Sequence, residues 1–413
     1  MIKELFINET ENLTVKVVDG KIDALRTQKL TEKAVRVFDE ENKLLALSAG
    51  IGEIDEKELE EKAKSLLSLG MSYNYDLEKD KQAEFSKVYE SYTLESLEEK
   101  AKTVLNDLNQ ITDKFVFNGT ISAESLKNTL QNSLGLNLKR HRSNLEFGFM
   151  MKMKGSGNIL DAFTGYGAFK FDDKKYAQFL KDTDFIAKAC LSEPVSLENK
   201  SYKVLFQSGQ LLSKFTSDIN SCQYEEKSSL FSDRLNEKIF HESVSIKEVY
   251  DNDELHCFMP YDYEGIIKEA DLDLVKNGVL KTIIYDKKRA SKYGKQTTGN
   301  GFRAYNSHPG PSLRAIDLYG DMELSSNLIA DDIVILPFLS SGGDFLPNGN
   351  FSMPTQLAFV FKNGKFIGKA PQITITGNYL DSFNKDFIAI AKNDLIPEVL
   401  SKKLIYTNCK VNL

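Results

Sequence analysis

The chain contains 413 residues, of which 41% are hydrophobic and 27% are charged. This balance is typical of a folded globular protein and excludes both a disordered chain and a collagen-like one. Acidic side chains outnumber basic ones by 60 to 53, so the overall charge gives no reason to expect direct binding of nucleic acid. The length favours two domains over one.

The cysteines and the apolar segments indicate where such a chain resides. Cys190, Cys222, Cys257 and Cys409 are far apart and form no CxxC pair, so we interpret them as free thiols. No stretch approaches the roughly 18 uncharged apolar residues of a membrane span, and the first residues lack the apolar run of a signal peptide. The sequence therefore predicts a soluble, cytoplasmic protein that contacts no membrane.

The first fifty residues predict two β-hairpins. Val15 to Val18 alternate with polar residues before the turn signal Asp19-Gly20, and a second hairpin turns through the polar residues 39–43. An amphipathic helix is expected to begin after the N-cap Asp55 and to stop at Gly70.

Further helices are predicted in the next eighty residues. The apolar residues from Leu94 to Leu108 recur at helical spacing, and Leu126, Leu130 and Leu134 suggest a third helix. Residues 73–92, between the first two helices, are polar and charge-rich, which favours a surface connection.

The second half of the chain is β-rich. One helix-like segment runs from Gln210 to Asn220, and residues 333–336, 357–361 and 373–376 are the clearest strands. Asn363-Gly364 occupies the position of a hairpin turn. We predict an α+β fold with an amino-terminal domain of antiparallel hairpins and helices (residues 1–192) and a β-rich carboxy-terminal domain (residues 193–413).

Several polar residues invite a metal or catalytic interpretation that the spacing does not support. His241-Glu242 begins like a zincin motif, but Ser245 stands where the second histidine of HExxH belongs. His241, His256, Cys257 and Cys222 could meet in space, but they follow no familiar ligand spacing, so no metal is predicted in this chain. His308 lies in a proline- and glycine-containing segment, which favours a histidine in a surface loop.

Two segments carry more specific chemistry. Asp262 and Glu264 are two residues apart, so on a strand both carboxylates would project from one face and could bind a cation or an amine. A pair of solvated acids before the turn residue Gly265 is the alternative. Thr298, Gly299 and Asn300 combine a hydroxyl, an amide and a flexible backbone in an irregular segment, which suits either a binding loop or an ordinary turn.

The order of these segments resembles the TldD/PmbA family, and more specifically its PmbA (TldE) branch, over nearly the whole chain. The opening hairpins, with Gly20 before the return strand and Arg36 in the next strand, are similar to those of the family. Residues 261–265 resemble its acidic FDDEG element with two positions changed to tyrosine, and residues 298–300 match its TGN segment. Residues 349–352 and 375–380 are similar to its GDFS and SGNL elements.

The resemblance implies a two-domain α+β chain that acts as a dimer in a cytoplasmic peptidase. In the TldD branch a helix carries HExxxH, whose histidines bind zinc and whose glutamate activates water. Residues 209–218 correspond to that helix, with Ser213 and Asp218 at the histidine positions and Lys214 at the glutamate. HExxxH occurs nowhere in the chain. The resemblance therefore implies no cofactor in this chain and zinc in a TldD-like partner.

We expect a TldE/PmbA-like subunit of a TldD/TldE-type metallopeptidase that acts on unfolded peptides, together with an HExxxH-bearing chain or as a homodimer. The candidates for lining its substrate chamber are Asp262, Glu264, Thr298, Gly299 and Asn300, and no residue is assigned a catalytic role. The family is also named a modulator of DNA gyrase, although no residue here indicates gyrase contact.

Two alternatives of other classes stay open. One is an independent hydrolase built around Asp262, Glu264 and residues 297–300, with a metal recruited by His241, His256 or Cys257. The other is a homodimeric peptide-binding or scaffold protein without hydrolytic activity.

Overall fold

The computed structural model describes residues 1–320, 322–329, 332–341 and 344–413. The amino-terminal half consists of a long-stranded sheet with three helices. Its strands are β1 (Ile2–Val18), β2 (Lys21–Asp39), β3 (Leu44–Ile51), β4 (Met71–Ser72), β5 (Gln82–Lys87), β6 (Phe115–Asn132), β7 (Asn137–Met153) and β8 (Ala162–Ala168). Its helices are α1 (Glu56–Ser65), a 3-10 turn (Leu67–Leu69), α2 (Leu94–Ile111) and α3 (Asp173–Leu191).

The sheet runs in the order β4-β3-β2-β1-β6-β7, and both β5 and β8 pair with β7. All of these neighbours are antiparallel except β5, which is parallel to β7. The β1–β2 turn contains Asp19 and Gly20, both with positive φ, as the Asp-Gly signal predicts. Both predicted hairpins are therefore confirmed.

The carboxy-terminal half contains shorter strands around one larger sheet. Its strands are β9 (Lys200–Gln207), β10 (Ser245–Glu248), β11 (Asp251–Asn252), β12 (Cys257–Phe258), β13 (Leu272–Lys276), β14 (Val279–Leu280), β15 (Gly301–Phe302), β16 (Gly310–Pro311), β17 (Ile316–Tyr319), β18 (Glu323–Leu324), β19 (Ile333–Ser340), β20 (Asp344–Phe345), β21 (Asn350–Lys362), β22 (Lys365–Lys369), β23 (Ile373–Asn378), β24 (Phe387–Lys392) and β25 (Lys403–Asn412). Its helices are α4 (Ser208–Asp218), α5 (Ser221–Glu225), α6 (Lys287–Tyr293), α7 (Ser325–Leu328) and α8 (Tyr379–Ser382).

Five strands of the larger sheet form a closed ring. The pairings run from β9 to β19, β21, β23 and β25, and β25 pairs again with β9. A sheet closed in this way has no edge strand, so each of the five strands has a hydrogen-bonded neighbour on both sides. The expected strands and the Asn363-Gly364 turn are confirmed, with positive φ at both turn residues.

One hydrophobic cluster joins the two halves of the chain. It contains residues of α2, α3 and β6 to β8 together with residues of β19, β21 and β25. Phe163 of β8 stacks on Phe338 of β19 with ring centroids 4.5 Å apart, and Phe185 of α3 contacts Phe359 of β21 at 5.5 Å. Helix α3 therefore packs between the amino-terminal sheet and the ring.

The predicted third helix is wrong, because Leu126 and Leu130 lie in the strand β6. Residues four apart share a face on a strand as well as on a helix, so this spacing alone does not separate the two structures. Leu134 lies in the turn between β6 and β7. Helix α3, in contrast, is absent from the sequence prediction, although Asp172 caps it by accepting the N–H of Lys175.

The interpretation of residues 73–92 as a surface connection is wrong in part. This segment contains β5, which pairs with β7 over its whole length. Tyr73 is buried and its ring meets that of Phe38 at 5.2 Å. Charged residues such as Glu84 alternate with half-buried Ala83 and Phe85, and that alternation marks an edge strand. The helices α1, α2 and α4 are confirmed.

We predict that Phe338→Ala lowers the free energy of unfolding by about 3 to 5 kcal/mol, since it leaves a large cavity beneath Phe163. Because the cluster joins both halves, the whole chain should lose stability in one transition. The chain has no tryptophan, so far-UV circular dichroism in urea is the appropriate measurement. The matched control is Leu346→Ala, whose side chain is 56% exposed and which should change stability by no more than about 0.5 kcal/mol. Two separate transitions, with only one of them shifted, would contradict a shared core.

Candidate functional site

The acidic segment forms a tight turn and not a strand. Asp262 is fully buried, and its carboxylate accepts the backbone N–H groups of Glu264 (3.0 Å), Ile266 (2.9 Å) and Gly301 (2.9 Å). Gly265 has a φ of +86°, which closes the turn. The expectation of two carboxylates projecting from one strand face is therefore wrong, and so is the alternative of solvated acids.

Glu264 is also buried, and its Oε2 accepts the backbone N–H of Lys287 at 2.8 Å. Gly301 lies directly against this carboxylate, where a Cβ would be 2.3 Å from Oε2. Burial and the negative charge of Asp262 raise the pKa of Glu264 above its ordinary value. The turn thus holds one carboxylate tied by three N–H groups and a second that favours its protonated form.

The segment Thr298-Gly299-Asn300 packs beside this turn. The Thr298 hydroxyl accepts the N–H of Tyr285 at 2.9 Å and donates to Oδ1 of Asn300 at 2.8 Å. Gly299 adopts a φ of +71°, and a Cβ at this position would lie 3.0 Å from Cγ2 of Ile266. The two segments singled out from the sequence are thus brought together, through Gly301 and Ile266.

A buried carboxylate that sequence reasoning missed organises the far side of this site. Glu248 of β10 accepts the Asn300 amide through both oxygens, at 2.9 and 2.8 Å, and it pairs with Lys268 at 2.7 Å. It also accepts the N–H of Arg314 at 3.1 Å. The side chains of Glu248 and Lys268 are 2% and 8% exposed, so their charges compensate each other inside the protein.

A second group of buried charges ties the amino-terminal sheet to this region. Glu4 and Arg36 are direct cross-strand neighbours on β1 and β2, with Arg36 Nε 2.7 Å from Glu4 Oε1. Arg303, which follows β15, approaches the same oxygen at 3.6 Å, and its guanidinium lies 4.8 Å from the ring centre of Phe6. Burial and the nearby Arg36 charge lower the pKa of Arg303 to about 9.

His308 is adjacent to these cations and is not an ordinary surface-loop histidine. It is half-buried, and its Nδ1 has no hydrogen-bond partner among the described residues. Burial, together with Arg36 and Arg303, lowers the pKa of His308 to about 4, so the imidazole is neutral at neutral pH. From the sequence, a charged residue among the apolar residues of a strand is a signal that Glu4 or Arg36 has a special role. The sequence gives no signal for the contact with Arg303.

The positions that the family resemblance aligns with HExxxH lie on α4. Ser213 is exposed, Lys214 is half-buried and Asp218 is buried. The Lys214 ammonium donates to Asp218 Oδ1 at 2.6 Å, and Leu230 N donates to the same oxygen at 3.3 Å. A hydroxyl facing solvent, an ammonium and a carboxylate already paired with it do not fit a zinc ion.

The remaining histidines and cysteines are dispersed. The ring of His241 packs on Phe387 and bonds Ser243, whereas His256 contacts Lys175 and Gly167 in the amino-terminal half. Burial raises the pKa of the Cys257 thiol to about 11. Within the described ranges, no group of three or more His, Cys, Asp or Glu residues could hold a metal ion. Among the described residues, His241, His256 and Cys257 therefore do not form the metal site that the independent-hydrolase alternative requires.

We predict that Glu4→Gln destabilises the chain by about 3 kcal/mol, since two buried guanidinium groups would lose their shared counter-charge. Urea unfolding measures this change. The control is Glu9→Gln, because Glu9 is exposed on the same strand and forms no ion pair among the described residues. An equal effect of the two substitutions would contradict this role of Glu4.

We also predict that Glu264→Gln makes stability less sensitive to alkaline pH. A raised pKa in the folded state means that the folded protein holds a proton the unfolded chain has lost, so this stabilisation falls as pH rises above the ordinary carboxyl range. A glutamine cannot ionise and can still accept the Lys287 N–H. Urea unfolding at about pH 6 and pH 9 should show a smaller difference for Glu264→Gln than for the wild type, whereas the exposed control Glu53→Gln should behave as wild type. A variant with the full alkaline loss would contradict the raised pKa.

Comparison with known proteins identifies the family to which this chain is related. Residues 199–403 match the model of the PmbA/TldA metallopeptidase C-terminal domain. A metalloprotease TldD homologue from Buchnera aphidicola is 28% identical over 170 residues, which is 40% of this chain and 35% of that protein. A metalloprotease PmbA homologue from Haemophilus influenzae is 24% identical over 201 residues, 48% of this chain and 43% of that protein. The matches thus span less than half the length of these curated relatives.

The whole fold has counterparts among solved structures. TldE from Thermococcus kodakarensis superposes with a TM-score of 0.82 at 17% identity, covering 100% of this chain and 97% of that one. A Thermotoga maritima protein described as a proposed modulator of a DNA gyrase gives a TM-score of 0.81 at 18% identity, covering 100% and 96%. The expected α+β fold is therefore confirmed, and no helix of the described residues is long and apolar enough to cross a bilayer. The matched domain and its relatives show that this chain belongs to the TldD/PmbA family.

Proposed function

We propose that this protein is a non-catalytic, TldE-like subunit of a TldD/TldE-type metallopeptidase that acts on unfolded peptides in the cytoplasm. It would pair with a chain that carries HExxxH, and the zinc ion and the water-activating glutamate would belong to that partner. This chain would supply part of the enclosure around the substrate.

The ion pair on α4 carries this proposal. The family resemblance aligns Lys214 with the water-activating glutamate and Asp218 with the second histidine, and the Lys214 ammonium pairs with the Asp218 carboxylate. Asp218 is 1% exposed, and desolvation raises its pKa, so the pair with Lys214 stabilises a carboxylate that is costly to bury alone. An ammonium paired with Oδ1 of this carboxylate, beside a serine in place of an imidazole, supports a structural role for these positions and not a zinc site.

The first experiment measures zinc content and peptidase activity of the purified chain, alone and mixed with an HExxxH-bearing homologue from the same source. The substrate is an unfolded peptide, and a chelator is added as a control. We expect a chain without stoichiometric zinc that is inactive alone, and a mixture whose activity exceeds that of the homologue alone and is lost with chelator. Stoichiometric zinc and turnover by the isolated chain would overturn the proposal.

The ion pair itself gives a further prediction. Lys214→Met should destabilise the chain by about 2 kcal/mol, because Asp218 would remain buried with only the Leu230 N–H. The double variant Lys214→Met/Asp218→Asn should recover part of that loss, as the buried charge is then absent. Both should retain the activity of the mixture in proportion to the folded fraction. A loss of activity by the folded double variant would show that the pair takes part in chemistry.

The acidic turn and the segment of residues 298–300 are proposed to shape the substrate chamber, as the family resemblance implies. Glu264→Ala removes the carboxyl that packs against Gly301 and accepts the Lys287 N–H, and this change of shape should lower the activity of the mixture per folded chain, whereas the exposed control Glu53→Ala should not. Unchanged turnover with intact assembly would remove Glu264 from the chamber.

A further inference from the structure

A cavity of about 760 Å³ lies between the two halves of the chain, and no residue of α4 or of the acidic turn is in its lining. One wall comes from the segment that follows β8 and from the first turns of α3, including Lys170, Lys174 and Lys175. The other wall comes from Lys392 at the end of β24 and from the segment between β24 and β25, which includes Lys402. We refer to this cavity as the basic pocket, and its volume is in the range that holds small organic ligands.

The charges of the basic pocket do not balance within the protein. Lys170, Lys174 and Lys392 are exposed at its rim and form no ion pair with the described residues. Four acidic residues also line the pocket: Asp172, which caps α3, Asp253, which pairs with Lys87, Glu398 and the exposed Glu254. Six lysines therefore line the pocket against four carboxylates, and this excess creates a local positive potential in a chain with a formal charge of −7.

The ammonium group of Lys175 forms the floor of the basic pocket, and hydrogen bonds hold it in one orientation. The Lys175 side chain is 19% exposed, and its ammonium donates to the Gly167 carbonyl at 2.6 Å and to Nε2 of His256 at 3.2 Å. His256 is a neutral acceptor, because burial and the neighbouring Lys175 lower its pKa to about 4. Two neutral acceptors therefore orient the ammonium and do not cancel its charge.

The acidic residue closest to this floor is shared with another cation. Glu398 Oε2 lies 3.7 Å from the Lys175 ammonium, and Oε1 accepts from Lys402 at 2.9 Å. The segment carrying Glu398 is held by Asp182, which accepts the Glu398 N–H at 2.8 Å. One carboxylate thus serves two ammonium groups, and the floor keeps an excess of positive charge in a partly desolvated place, where electrostatic attraction is strong.

Apolar surface continues from the charged floor to the rim. Phe169 is buried in the wall, and Tyr89 and Met322 are 53% and 41% exposed at the opening. Exposed aromatic and methionine side chains beside a cationic floor suit a molecule that has an anionic end and an apolar end.

We propose that the basic pocket binds a small organic anion in which a phosphate or carboxylate group is attached to an apolar group, with the anion directed to Lys175 and the apolar part against Tyr89, Phe169 and Met322. This site is separate from the proposed peptidase role and does not require the partner chain.

The test is isothermal titration calorimetry of the full chain with phenyl phosphate, phenylacetate and inorganic phosphate. We expect phenyl phosphate or phenylacetate to bind in the millimolar range or tighter, and the tighter of the two identifies the anionic group. Inorganic phosphate should bind more weakly, because it lacks the apolar part. Affinity should fall as salt is raised, since the rim charges are screened.

Variants at the rim test the location without disturbing the hydrogen bonds of the floor. Lys174→Gln/Lys392→Gln should weaken binding about tenfold, and the matched control Lys281→Gln/Lys362→Gln, at exposed lysines outside the lining, should bind as wild type. Far-UV circular dichroism verifies that both variants are folded, and Lys170→Gln provides a second rim variant should the first be unstable. Absence of binding by all three probes, or equal affinity in the rim and control variants, would overturn the proposal.

Discussion

The Glu4 carboxylate is the interaction on which the arrangement of the site depends. It is buried on the first strand, faces Arg36 across the β1–β2 pair, and is the nearest acid to Arg303 from the other half of the chain. Two guanidinium groups therefore share one anion. Because a buried charge without a partner is costly, the amino-terminal sheet and the segment after β15 are held in one relative position.

The relative position of the amino-terminal sheet and the segment after β15 also determines how the acidic turn is built. Arg303 follows β15, and Gly301 of the same strand donates its N–H to Asp262 and lies against Glu264. Each turn carboxylate thus accepts one backbone N–H from another segment, Asp262 from Gly301 and Glu264 from Lys287. Such a turn works mainly as a structural junction, and any influence on a bound peptide would be exerted through the shape of the surrounding surface.

The sequence predicts the elements whose signals are local. Asp19-Gly20 and Asn363-Gly364 require positive φ at the turn, and the apolar spacing of α2 has no β alternative of similar quality. The third helix is wrong because Leu126 and Leu130 satisfy both periodicities. Helix α3 escapes prediction although its cap and core face are present in the sequence.

The candidate site shows the same limit. Asp262, Glu264 and residues 298–300 could be selected from residue type and family resemblance, but their burial and their hydrogen-bond partners could not. Glu248 and Lys268 are ordinary charged residues in the sequence, and Glu4 and Arg303 are about 300 residues apart. Only the folded chain brings such pairs together, because nothing in their local sequence specifies the partner.

The closed ring of five strands has a consequence for synthesis of the protein. Strand β9 contains the buried run Val204-Leu205-Phe206 and pairs with β25, whose residues follow it by on the order of 200 positions. After Val204, Leu205 and Phe206 have been synthesised, the ribosome must still translate β25 before the two strands can pair. Pairing between segments so distant in sequence is slow. The unpaired strand would meanwhile be a site for chaperone binding or for aggregation.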